Sequence, residues 1–141
     1  MKVTIEFKED GTMKKLQIVD GTKKLVDEGS NHVISMYGRT YDSTNPFFEA
    51  DMEYNTQFVK MIEQICDLNL KTDGVLILND VYDLLGYERT KLGAVTGWTY
   101  NKGNPDADNH VYFDVIVVDS EEPYILLDFN VDGIIMKYLK D

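Results

Sequence analysis

The stretch from Phe47 to Leu70 constrains this chain more than any other part of it. It runs free of glycine and proline between the Asn45-Pro46 break and the Asp73-Gly74 pair. Within it Phe48, Met52, Phe58, Met61, Ile62, Ile65 and Cys66 recur at three- and four-residue steps. That spacing predicts one long amphipathic helix over 47–70, with Phe58, Ile62 and Ile65 in a buried stripe. Gly74 supplies the left-handed residue that stops it. Such a stripe has to be covered, and the rest of the sequence offers mainly β-structure to cover it. Val3, Ile5 and Phe7 alternate with polar residues, Asp10-Gly11 turns, and Leu16, Ile18 and Val19 return, which predicts a hairpin over 1–20. Residues 22–28 read as one helical turn and 32–41 as a third strand.

After the long helix comes a short extended run, Val75–Leu78. Asn79 is placed to cap a short helix over 79–86, closed by Gly86, and a further helical turn is expected at 90–95. From Gly97 the pattern is β: Trp98–Tyr100, Val111–Val118, Tyr124–Phe129 and Ile134–Leu139, with Val131-Asp132-Gly133 as the last hairpin turn. The expected fold is α+β: a single domain over 1–141. It has a single antiparallel sheet with one long helix packed across it, one or two short helices, and C-terminal antiparallel strands over 97–139.

A chain of 141 residues with 43% hydrophobic and 11% aromatic content can bury one core without covalent staples. Its one cysteine, Cys66, rules out an internal disulfide and falls on the apolar side of the long helix, where packing is its expected role. The opening MKVTIEFKEDG alternates like a strand and not like a signal peptide. No apolar run approaches the roughly 18 residues that a membrane helix needs. The cytoplasm of the host cell is the expected location, with no membrane partner.

Net charge is −11 and unevenly placed. Residues 1–31 balance six lysines with six acids, whereas 105–141 set Lys137 and Lys140 against nine acids. A surface of that sign repels phosphate backbones, so direct DNA or RNA binding is not expected. The acidic C-terminal part serves as a solvated face, or it occupies a basic groove on another protein as a DNA mimic does.

The segment Gly86–Tyr100, GYERTKLGAVTGWTY, gathers Arg89, Thr90, Lys91 and Trp98 among glycines and hydroxyls. A smaller echo, YGRTYDST over 37–44, sets Arg39 between Tyr37 and Tyr41. These are the two arginines of the chain. Guanidinium forks, hydroxyls and aromatic faces together make a cradle for a small phosphorylated ligand. Arg39, Tyr41, Arg89, Thr90, Lys91 and Trp98 are therefore the candidate ligand-binding residues. The plainer alternative pairs both arginines with nearby carboxylates and gives Trp98 to the core.

No metal and no cofactor are expected. His32 and His110 stand without ligand partners at zinc spacing. The run Asp106-Ala107-Asp108-Asn109 resembles the start of a calcium loop but has His110 where the turn glycine belongs. No serine sits in a nucleophile elbow, so catalytic residues are not expected.

The segments YNTQFVKMIEQI, VLILNDVYDLLGYERTKLGAVTGW, HVYFDVIVVD and YILLDFNVDGII resemble an uncharacterised family encoded by phages and mobile elements of Firmicutes. That family carries LNEVYDxLGLPRT followed by a glycine and VGW, and closes with ILLDFNVDG. The resemblance covers about the last two thirds of the chain, with Tyr87-Glu88 where the family often has Leu-Pro. It implies a genetic setting and names no reaction. In that setting the expected occupation is an accessory protein that acts by binding: an anti-defence inhibitor that sequesters a nucleotide signal or blocks a host defence protein. An oligomeric assembly or packaging module is the alternative, and a DNA-mimic inhibitor of a nuclease the second. A homo-oligomer is expected.

Overall fold

A computed structural model describes residues 2–9, 12–19, 22–25 and 34–139. The Asp10-Gly11 turn, residues 26–28 and residues 32–33 lie outside the described residues. Strands β1 (Lys2–Glu9) and β2 (Thr12–Val19) pair antiparallel, with Glu9 opposite Thr12, as the expected hairpin requires. Residues 22–25 form strand β3 (Thr22–Leu25) and not a helical turn, because β2 offers Leu16 to Val19 as a ladder for them. Among the described residues of the expected third strand, β4 (Arg39–Tyr41) is the part that forms. Ahead of it the Gly38 amide closes a turn on the Ser35 carbonyl at 3.0 Å.

Helix α1 spans Met52–Asp73. It starts five residues after the expected position because Asp51 is its N-cap, accepting from the Tyr54 amide at 3.2 Å. Residues 45–50 are held in another way. The Asn55 side chain bonds both the Glu49 amide and the Glu49 carbonyl, at 2.9 and 2.8 Å. Gly74, at φ 83°, ends the helix with its amide on the Leu70 carbonyl at 2.8 Å. The buried face of α1 is Asn55, Val59, Ile62, Cys66 and Leu70. Ile62 is buried as expected, Phe58 is half-buried, and Ile65 is exposed. One stripe was expected, and the helix carries two.

Strand β5 (Val75–Ile77) runs straight into α2 (Leu78–Leu85), which Gly86 closes at φ 91°. Asn79 lies inside α2 instead of capping it, since the chain turns helical directly out of β5. After a 3-10 turn at Leu92–Ala94 come β6 (Thr96–Thr99), β7 (Phe113–Val118), β8 (Tyr124–Phe129) and β9 (Gly133–Ile134). The last expected strand stops at Ile134. The Ile135 side chain drops into the core, its amide bonds the Val95 carbonyl at 2.7 Å, and a 3-10 turn follows at Met136–Tyr138.

The fold is α+β, with two sheets in place of the single one expected. The larger has the strand order β1-β2-β3-β7-β8-β4, and its β3–β7 pair is parallel. The smaller has the order β5-β6-β9. The division follows from β6, which pairs with β5 and β9 and with no strand of the larger sheet. Gly97 lies so close to the Leu76 carbonyl that a Cβ at this position has no room. Residues 131–133 consequently cross from one sheet to the other and are not a hairpin turn.

Tyr41, Phe113, Val117, Ile125, Leu127 and Phe129 face α1 and α2 across the main core, with half-buried Val115 between the two residues of β7, so that alternate positions of β7 and β8 point inward. Val118 and Leu126, on the opposite face, pack with Ile34, Ile116 and Tyr124. Among the described residues no helix is long and apolar enough to cross a membrane.

Candidate functional site

The segment that sequence singles out is built around α2. Arg89 is exposed and forks onto the same helix. Its Nε and Nη2 donate to Asp83 at 3.1 and 2.6 Å, and Nη2 also donates to Asp80 at 3.0 Å. The hydrogen bond to Asp83 raises the Arg89 pKa, with the charges of Asp83 and Asp80 adding to the effect. An anion at this point would compete with two carboxylates already in place. Lys91 is exposed beside it.

Thr90 is occupied along its whole length. Asn79, buried in α2, donates from Nδ2 to the Thr90 carbonyl and accepts the Thr90 amide on Oδ1, both at 2.9 Å. The Thr90 hydroxyl accepts the Gly93 amide at 2.8 Å. Trp98 is fully buried, and its Nε1 donates to Asn130 Oδ1 at 2.9 Å. That oxygen also accepts the Tyr112 amide at 2.6 Å, while Asn130 Nδ2 reaches Asp108 and the His110 carbonyl. Asp132 accepts the Thr99 amide at 2.8 Å. These side chains tie the loops around the small sheet together.

Arg39 and Tyr41 share the core-facing side of β4. The Arg39 guanidinium lies 4.8 Å from the centre of the Tyr82 ring and donates to the Met36 and Gly38 carbonyls. Tyr82 and Tyr87 in turn donate their hydroxyls to the Tyr37 and Thr40 carbonyls, at 2.7 and 2.8 Å. The two arginine segments therefore meet through α2. Arg39, however, sits on its buried Tyr82 side and Arg89 on its exposed Asp80–Asp83 side, so they do not converge within one chain. Tyr41 is fully buried against Phe48 and Phe58, and its hydroxyl finds no partner. Burial pushes its pKa up to about 12, helped by Tyr54 and Glu49.

Two surfaces escaped the sequence reading. The first is the outer face of α1, where Tyr54, Met61, Ile65 and Leu68 are 48%, 48%, 38% and 65% exposed and half-buried Phe58 completes the row. Phe58 stacks on Tyr54 at 6.4 Å and meets Phe47 edge-on at 5.9 Å. Its signal was present in the steps of four, three, four and three from 54 to 68, but the buried row interleaves with it. The second is a groove of about 700 Å³ lined by Asp42, Glu49, Glu121, Glu122 and the rings of Phe48 and Tyr124. Its acids come from two segments some 70 residues apart, and composition alone cannot bring those together.

Among the described residues no three His, Cys, Asp or Glu side chains are grouped to hold a metal. Cys66 is buried, and burial, followed by the charges of Asp80, Glu63 and Asp67, pushes its pKa up to about 12. A thiol in that state is no nucleophile.

No curated protein and no solved structure matches the chain. A family model does match, over residues 2–139 and so across both sheets and both helices. The chain belongs to that family, the Family of unknown function (DUF6353).

Proposed function

We propose that this protein is a non-catalytic binding module that works by protein–protein contact through the outer face of α1. The supporting observation is the row of large apolar side chains at Tyr54, Met61, Ile65 and Leu68, which stand exposed together along one face of a single helix, whereas Met36, Tyr112, Ile134 and Met136 are exposed on other segments. Contiguous apolar surface of this kind marks an interaction site more often than chance exposure does. The resemblance to phage and mobile-element proteins of Firmicutes sets the context: a small accessory protein in the host cytoplasm that blocks a host defence protein. Sequestration of a nucleotide signal draws less support, because Arg89 is held by Asp80 and Asp83 and Trp98 is enclosed.

The test is affinity capture from the host with the wild type and with a Met61→Glu/Leu68→Glu variant of unchanged circular dichroism. A protein retained by the wild type and lost by the variant, a host protein or an untagged copy of this chain, is the expected result. An identical retained set for both proteins would remove the α1 face from the proposal. The groove of Asp42, Glu49, Glu121 and Glu122 favours a second reading, in which a basic segment of a nuclease is the partner. That complex would weaken steeply with salt and would ignore the α1 substitutions.

A further inference from the structure

We infer that the occupant of the α1 face is a second copy of this chain, with the two helices antiparallel about a two-fold axis near Glu63 and Gln64. The inference rests on the proposed reading of that face as a docking surface and names what covers it. Tyr54, Phe58, Met61, Ile65 and Leu68 are spaced four, three, four and three, and Thr72 extends the series by four. This is the repeat of a seam that packs on another helix. With the helices antiparallel, Met61 faces Ile65 of the second copy, Phe58 faces Leu68 and Tyr54 faces Thr72. No apolar residue of the seam is left over.

Charge selects the same occupant. At net charge −11 two copies repel one another across most of their surfaces. Along the solvent side of the seam, however, stand Gln57, Gln64 and Lys71, one heptad apart and with no acid among them. Of the acids of α1, Glu63 and Asp67 at the middle of the seam are turned toward the larger sheet, while the exposed Glu53 and Asp73 stand at its two ends. Glu63 accepts the Phe113 amide at 2.6 Å, and Asp67 accepts the Val111 amide at 2.8 Å. Asp67 also binds Lys71 at 2.8 Å. In the antiparallel pair Gln64 meets Gln64, amide to amide, and Gln57 offers its oxygen to Lys71.

The seam presents on the order of 400 Å² of apolar surface per copy, from side chains of roughly 200 Å² that are half exposed. Two seams with their glutamine rims reach roughly 1,000 Å², the lower limit for a specific association. An interface of that size belongs to the weak, reversible class.

Sedimentation of the full chain over a concentration series tests the pairing. A monomer–dimer equilibrium is expected, and Leu68→Glu should raise its dissociation constant roughly 30-fold or more. A monomer at every concentration would overturn the inference, as would a dimer indifferent to Leu68→Glu. Orientation is tested with a short bis-maleimide, which the buried native Cys66 does not react with in the folded chain. Gln64→Cys should cross-link to itself. Gln57→Cys should not, since two copies of residue 57 lie about 18 Å apart along an antiparallel pair centred on residue 63. Equal cross-linking of both would overturn the antiparallel arrangement. If the chain is monomeric but the capture comparison still shows an α1-dependent partner, the docking surface stands and only its occupant is wrong.

Discussion

Asn79 shows how much of the recognisable motif is spent on holding the chain together. Its one side chain satisfies both backbone groups of Thr90, and Gly93 is glycine because a Cβ there would collide with the Asn79 amide. Gly93→Ala is expected to cost about 1–3 kcal/mol in urea denaturation. Gly97→Ala should cost more, because the obstruction is the Leu76 carbonyl, which is backbone and cannot rotate away. Asp132 adds a pH dependence. Burial raises its pKa above 3.8, hydrogen bonds from Thr99 offset this in part, and the Asp108 charge adds to the rise. The folded state therefore holds the Asp132 proton more tightly than the unfolded state does. This contribution to stability is fully present below pH 3.8 and is lost as pH rises through the elevated value. Stability of the wild type relative to Asp132→Asn should fall over that interval and then level off. Urea titrations of both proteins from acid to neutral pH measure it, and a constant difference would refute the assignment.

At the scale of the element, α1 divides its labour between two apolar rows, and truncation separates them. Ile62→Ala should cost about 2–5 kcal/mol, as a large-to-small change in a packed core does. Ile65→Ala should change the stability of the monomer by less than about 0.5 kcal/mol. Equal costs would mean that both rows are internal. The sequence located this helix and most of the strands, since a period of 3.6 or 2 is a local property. It could not say which of two interleaved rows faces the core, because both satisfy the same spacing. The start of α1 moved for a local reason, in that Asp51 caps better than Pro46 starts. The division into two sheets was not legible, because it depends on β6 finding β5 and β9. Carboxylate partners were the plainer expectation for both arginines; Arg89 has them, whereas Arg39 is held by the Met36 and Gly38 carbonyls and the Tyr82 ring. That Arg89 reaches back six and nine residues to Asp83 and Asp80 was not legible. Asn79 bonding the Thr90 backbone has no signature in spacing at all.

At the scale of the whole molecule, among the described residues the N-terminal strands join the rest of the larger sheet through the β3–β7 ladder, in which Lys23 lies opposite Ile116, Lys24 opposite Val117 and Leu25 opposite Val118. Every other strand pair of the larger sheet is antiparallel, and β7–β8 closes through a short connection. The parallel pair joins segments that leave the ribosome far apart in time. At ~5–20 residues per second, β3 waits roughly 5–20 s for the strand that covers its edge. During that interval the hairpin carries an unpaired row of amides and carbonyls, and any neighbouring nascent chain offers the same row. Messages translated by closely spaced ribosomes would therefore bring many such edges together at once. Slower initiation, with fewer ribosomes per message, would let each chain reach its own β7 first.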